Sequence, residues 1–317
     1  MSRHHCCVYL GDDLARYSFA NDHPFGPMRY QVFAQEFYQQ FLQEKVDILP
    51  PQKAPQSILE LFHTHDYVEQ VKQQSRQGIG YLDQGDTPAF IGMYEAASFV
   101  VGTVCDAVDR IISNEYQHAF IPIAGLHHAR RHIAAGFCVY NDCGVAIEYL
   151  RNKYNIQRIA YIDIDAHHGD GVFYSFENDP ELIFVDLHED GHFLYPGTGA
   201  ESETGKDRAV GTKLNIPMPP HSNDEAFMQA WESVEEFLLK HGADFILLQC
   251  GADSIKGDPI THMEYSEKAH AYAAERLCIL ASQLCHNKFI AMGGGGYNHR
   301  NIAKTWTAVV SRMAHKY

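Results

Sequence analysis

The chain has 317 residues, 45% of them hydrophobic, enough to bury a sizeable core. Acidic residues outnumber Lys and Arg by 40 to 25, a formal charge of −15 that argues against a direct nucleic-acid partner and fits a cationic substrate such as a lysine-bearing protein. The eight cysteines form no C-x-x-C pair, and the apolar run at 6–10 is too short for a signal peptide or membrane span, so the chain reads as a soluble, cytoplasmic protein with reduced thiols.

Residues 93–112 carry a helical pattern, and residues 118–124 (H-A-F-I-P-I-A) are strand-like and run into Gly125-Leu126-His127-His128. A second helix is predicted over 142–154. The apolar run 159–164 then leads into D-I-D-A-H-H-G-D-G at 163–171. A strand alternates its side chains with a period of two, so Asp163, Asp165 and His167 are expected to project to one side. Two carboxylates and an imidazole converging at a strand end form a metal site suited to Zn²⁺ or Fe²⁺.

Further strand-like runs follow the same plan. Residues 181–187 lead to His188-Glu189-Asp190-Gly191, 244–249 to Cys250-Gly251-Ala252-Asp253, and 288–292 to four glycines and Tyr297. Between them, Phe227, Trp231, Val234, Phe237 and Leu238 mark the core face of a helix that follows a Ser222-x-x-Glu225 capping box and stops at Gly242. Further helices are predicted over 265–284 and 301–313. The βα alternation implies one α/β domain over 1–317, a mostly parallel sheet with helices on both faces, with ligands outside the carboxyl ends of its strands. No linker, low-complexity tract or repeat divides the chain, and no oligomeric state is read from it.

The blocks D-H-P-F-G-P-M-R (22–29), G-L-H-H-A (125–129), G-F-C-V-Y-N-D (136–142), D-I-D-A-H-H-G-D-G (163–171), Y-P-G-T-G (195–199), G-A-D-S-I-K-G-D-P (251–259) and G-G-G-G-Y-N (293–298) occur in the order found in the zinc-dependent histone deacetylases. The chain resembles that family over nearly its whole length, and within it the bacterial acetoin-utilisation deacetylases. The resemblance implies the arginase–deacetylase fold, a single three-layer αβα domain.

It also implies a zinc ion, with Fe²⁺ as an alternative, on Asp165, His167 and Asp253. His127 and His128 would be the catalytic pair, oriented by Asp163 and Asp170 respectively, with His128 as general base and acid. Tyr297, freed by its glycines, would hydrogen-bond the developing oxyanion. Phe137 and Tyr195 would wall a tunnel for an acyl-lysine side chain, with Gly136 leaving room. Tyr195 stands where many relatives carry phenylalanine. Asp86 matches an aspartate that grips substrate backbone amides, and Arg29 and Cys138 would line an internal cavity. Ile260 stands where polyamine deacetylases carry a substrate-selecting glutamate. A potassium ion would be held by Asp163, Asp165, His167 and Leu187, with Asp186 replacing a common serine ligand.

The implied activity is removal of an acyl group, chiefly acetyl, from lysine side chains of a protein or peptide. The competing expectations are an acetylpolyamine or other small acyl-amide deacetylase, a two-metal ureohydrolase, and a non-catalytic acyl-lysine-binding protein.

Overall fold

The computed structural model describes residues 4–20 and 23–317; Asp22, the first residue of the D-H-P-F-G-P-M-R block, lies outside them. Among the described residues, eight strands, β1 (Cys6–Tyr9), β2 (Asp47–Leu49), β3 (His118–Ile121), β4 (Ile159–Asp163), β5 (Leu182–Glu189), β6 (Lys213–Met218), β7 (Phe245–Gln249) and β8 (Phe289–Met292), form one sheet in the order β2-β1-β3-β8-β7-β4-β5-β6. Every strand pairing is parallel. The unbroken apolar runs explain why: β4 and β7 are buried along their whole length, as strands covered on both faces must be. Helices Met28–Gln39, Asp224–His241, Glu267–Leu284 and His299–Met313 pack on one another, and Met93–Ile112 packs on Asp142–Tyr154, giving the three-layer αβα arrangement.

The helices predicted over 93–112 and 142–154 have those bounds in the structure, and Asn155, with φ of 55°, ends the second. Two local expectations are corrected. Helix Asp224–His241 is capped by Asn223, whose side chain accepts from the Ala226 N–H, whereas the Ser222 hydroxyl donates to the Pro219 carbonyl. Asn is at least as good a cap as Ser and sits one residue nearer the first turn, so no Ser222–Glu225 box forms. The strand expected over 118–124 ends at Ile121, because Pro122 has no N–H for the ladder and Ile123 adopts φ of 68°.

Register positions the chemistry. Ile121, Met292, Gln249, Asp163 and Asp186 lie side by side across β3, β8, β7, β4 and β5. The loops that leave the sheet beyond this row share one edge, the carboxyl edge where parallel sheets bind ligands.

Candidate active site

Strand β4 ends at Asp163, so the D-I-D-A-H segment is not the alternating strand face expected from the sequence. Instead the carboxylates fold the loop themselves. Asp163 Oδ1 accepts the Asp165 N–H at 3.1 Å, and Asp165 Oδ1 accepts the His167 N–H at 3.0 Å, each closing a turn two residues long. Asp163 thereby turns toward His127, while Asp165 and His167 turn toward Asp253.

Asp165, His167 and Asp253 are buried, and one potential ligand atom from each lies within 4.8 Å of the others. His167 Nδ1 stands 3.0 Å from Asp165 Oδ1 and 3.1 Å from Asp253 Oδ2. The remaining carboxylate oxygens are tied back by protein donors. Asp165 Oδ2 accepts from Gln249 Nε2 and the Gly295 N–H, both at 2.8 Å, and Asp253 Oδ1 accepts from the Ala166 N–H at 2.9 Å. Two inward carboxylate oxygens, each carboxylate oriented by outer hydrogen bonds, and one imidazole nitrogen are a donor set suited to an open three-ligand metal site. The charges agree. Burial and the neighbouring Asp165 push Asp253 up to about 7, the crowding a bound cation relieves. Only glycine leaves these carboxylates in place at Gly251 and Gly295, where a Cβ would run into Asp165 and Asp253.

The turn after β3 carries the histidine pair. Asp142 accepts the N–H groups of Gly125 and Leu126, both at 2.7 Å, and Asn141 Nδ2 donates to the carbonyls of His127 and Ala129. His127 Nδ1 meets Asp163 Oδ2 at 2.7 Å, His128 Nδ1 meets Asp170 Oδ1 at 2.8 Å, and the two Nε2 atoms are 3.0 Å apart. At that separation one nitrogen donates and the other accepts. Burial opposes charging both rings, but Asp163 and Asp165 outweigh it at His127 and raise its pKa. At His128, burial and the His127 charge lower the pKa to about 4. His127 is therefore the donor and His128 the free base.

Tyr297 follows the four glycines after β8, and its N–H donates to Asp258 Oδ2 at 2.8 Å. Burial, then the Asp253 charge, holds the phenol well above its ordinary pKa, so it remains an O–H donor. Its hydroxyl has no hydrogen-bond partner among the described residues.

A histone deacetylase domain is matched over residues 23–313. The chain belongs to the histone deacetylase family. It is 37% identical over 306 residues to the acetoin utilization protein AcuC of Bacillus subtilis (strain 168), across 94% of this chain and 79% of that relative. To the acetoin utilization protein AcuC of Staphylococcus xylosus it is 32% identical over 307 residues, across 94% and 80%. The crystal structure of the HDA15 HD domain superposes with a TM-score of 0.90 at 25% identity, over 98% of this chain and 88% of that one. The chain is thus an AcuC-like, histone deacetylase-family hydrolase with the arginase–deacetylase fold. The family generally uses a metal ion, and Asp165, His167 and Asp253 form a site able to hold one.

Around this histone deacetylase centre, Gly136 and Phe137 both adopt left-handed backbone, with φ of 54° and 66°, and a Cβ on Gly136 would enter the His128 ring. The Phe137 ring centroid lies 5.8 Å from that of Tyr297, and the Tyr195 ring centroid lies 5.2 Å from that of His128. Asp86 is exposed, with Oδ1 accepting from the Thr87 hydroxyl, which in turn accepts the Phe137 N–H at 3.2 Å. Ile260 is half-buried, its N–H donating to Asp258 Oδ1 at 3.1 Å, so Asp258 links its turn to Tyr297. Arg29 is fully buried and donates to the carbonyls of Gly294 and Gly296, and Cys138 is buried nearby in sequence to Phe137. Asp186 Oδ2 accepts the Gly169 N–H at 2.8 Å and Asp186 Oδ1 meets His188 Nδ1 at 2.7 Å, while Leu187 is buried in β5.

Five supporting residues carried no assigned role in the sequence reading: Gln249, Asp142, Asp258, His188 and Arg130, whose Nη2 donates to Asp170 Oδ2 at 3.1 Å. Gln249 left a signal, a lone amide closing the apolar run F-I-L-L-Q.

Proposed function

We propose that the chain hydrolyses the amide of an acyl-lysine side chain, chiefly acetyl-lysine, in a protein or peptide, with Zn²⁺ or alternatively Fe²⁺ held by Asp165, His167 and Asp253. The observation that carries this reading is the histidine pair, two carboxylate-oriented imidazoles with Nε2 atoms 3.0 Å apart, set beside the Asp-His-Asp cluster. When bound, the ion supplies polarisation of the amide carbonyl and acidifies a water molecule. His128 Nε2, which accepts from His127 in the resting site, exchanges that hydrogen bond for the proton of the water and returns it to the leaving lysine amine. Asp170 fixes the ring for both transfers, and Asp163 keeps His127 charged as an electrostatic partner. The Tyr297 hydroxyl donates to the carbonyl oxygen as negative charge develops.

Phe137 and Tyr195 would enclose the lysine methylenes and exclude water, with Gly136 giving them room. Asp86 would grip substrate backbone amides at the rim. A potassium ion belongs to the proposal as a structural cation near Asp163, Asp165, His167, Asp186 and Leu187. The carboxylate oxygens of Asp163, Asp165 and Asp186 already face protein donors, which favours backbone carbonyls as its ligands. The eight cysteines are buried and unpaired, which supports a reducing, cytoplasmic setting.

A purified sample assayed with an acetyl-lysine peptide and an acetylpolyamine decides the substrate class. A higher kcat/KM for the peptide is expected. Preference for the polyamine would overturn the protein-lysine assignment while leaving the metal chemistry standing.

A further inference from the structure

A groove of about 470 Å³ opens beside the tunnel wall Tyr195, between the Asp83–Asp86 loop on one side and Arg130, Ala134 and Asp170 on the other. Arg130 is held at this groove by its own backbone. Its N–H donates to the Ile133 carbonyl at 2.9 Å in an isolated antiparallel bridge. Its side chain is 48% exposed, and one donor, Nη2, is used on Asp170 Oδ2. Nε and Nη1 have no hydrogen-bond partner among the described residues.

Across the groove, one oxygen of each of two acids is engaged, while Asp83 Oδ2 is buried without a hydrogen-bond partner among the described residues. Asp83 Oδ1 accepts the N–H groups of Gly85, Asp86 and Thr87, and Asp86 Oδ1 accepts the Thr87 hydroxyl. Asp170 is shared between His128 and Arg130. Opposite those acids, the cationic donors the groove offers an incoming group are the unused N–H groups of a planar guanidinium held on Asp170. A guanidinium fork matches a carboxylate, which it binds through parallel charge-assisted hydrogen bonds.

We propose that Arg130 is a specificity-determining residue that binds a carboxylate adjacent to the acyl-lysine. The carboxylate comes from an acidic neighbouring side chain or from the lysine's own α-carboxylate. This rests on the acyl-lysine reading given above and narrows it: the net charge of −15 draws in cationic substrates at long range, while the rim beside the tunnel selects an anionic group at contact.

The test uses the metal-loaded protein and matched acetyl-lysine peptides, one pair carrying Glu or Gln at the flanking positions, another ending at the acetyl-lysine as free carboxylate or amide. A half-exposed charge-assisted contact supports a preference of about five-fold in kcat/KM for the carboxylate member of one pair. The pair that shows it identifies the source. The preference should shrink with added salt, persist in part in Arg130→Lys, and fall to about one in Arg130→Gln. Because the readout is a ratio, any loss of rate from loosening Asp170 cancels. Equal rates within both pairs, or a preference that survives Arg130→Gln, would overturn the proposal. If no peptide is hydrolysed, the deacetylase reading fails instead. Fluorescence anisotropy with the same labelled peptides then still gives the affinity ratio that decides the role of Arg130.

Discussion

Removing one oxygen atom isolates the role of Tyr297. The phenol has no hydrogen-bond partner to lose among the described residues, so Tyr297→Phe should fold and bind metal as the parent does. Deleting one oxyanion donor is expected to lower kcat by about 10²–10³-fold. An unchanged kcat, measured with metal content verified, would assign the donor elsewhere. A different residue tests the buried histidines. His63 is fully enclosed, accepts the Asn141 N–H at Nε2, and burial lowers its pKa to about 3. Below about pH 6.5 the unfolded chain takes up a proton that the native state refuses, so stability falls with pH down to the native value, by about 1.4 kcal/mol per unit. The unfolding free energy of the parent should fall relative to His63→Gln by about 2.5 kcal/mol in all between pH 6 and 4. Parallel curves would mean that His63 is protonated in the folded state. His127 and Asp253 stood out in the sequence because a polar residue just past an apolar run is conspicuous. Asp142 and Asp258 did not, because an acid near a helix start or in a G-D-P turn looks like ordinary local capping, and only the folded loops show which N–H groups it accepts.

The loops at the strand ends are shaped by side chains as much as by backbone, and here the sequence misled. Alternation placed Asp163, Asp165 and His167 on one face, but β4 stops at Asp163 and successive carboxylates bend the chain so that neighbours two apart serve different partners. Pattern arguments carry no information about a carboxylate that captures its own loop. The glycine run gives a test at this scale. Gly295 donates its N–H to Asp165 and its missing Cβ leaves space for Asp253. Its backbone is not left-handed, so Gly295→Ala should keep the fold and displace the Asp253 carboxylate. Metal affinity is expected to fall about 10–100-fold, as for other disturbances of the groups that orient ligands. Equal metal affinity by competition with a chelator, at equal Tm, would show that the two carboxylates do not act together on an ion.

For the molecule as a whole, the α/β class and the gathering of polar strand ends were legible, because parallel strands buried on both faces read as short apolar runs. The strand order was not. Pairing β3 with β8 and β7 with β4 brings together residues more than 80 positions apart, and periodicity says nothing about such partners. That order is what sets Ile121, Met292, Gln249, Asp163 and Asp186 in one row and hence closes five loops into one site. Under the acyl-lysine proposal, substrate choice belongs to the rim. An isoleucine at position 260 offers no carboxylate to a second ammonium, so Ile260→Glu should shift the kcat/KM ratio toward an acetylpolyamine. An unmoved ratio would place Ile260 outside the substrate path.

The central claim is that one ion on Asp165, His167 and Asp253 supports hydrolysis by the histidine pair. The direct measurement is a titration of chelator-treated protein with Zn²⁺ or Fe²⁺, following bound metal and acetate release from an acetyl-lysine peptide together, in the parent, Asp165→Ala and Asp253→Ala. Activity should return in step with one tightly bound ion per chain, and both variants should lose metal and turnover together. Full turnover in the stripped protein, two tightly bound ions per chain, or an alanine variant with parental metal content and rate would contradict it.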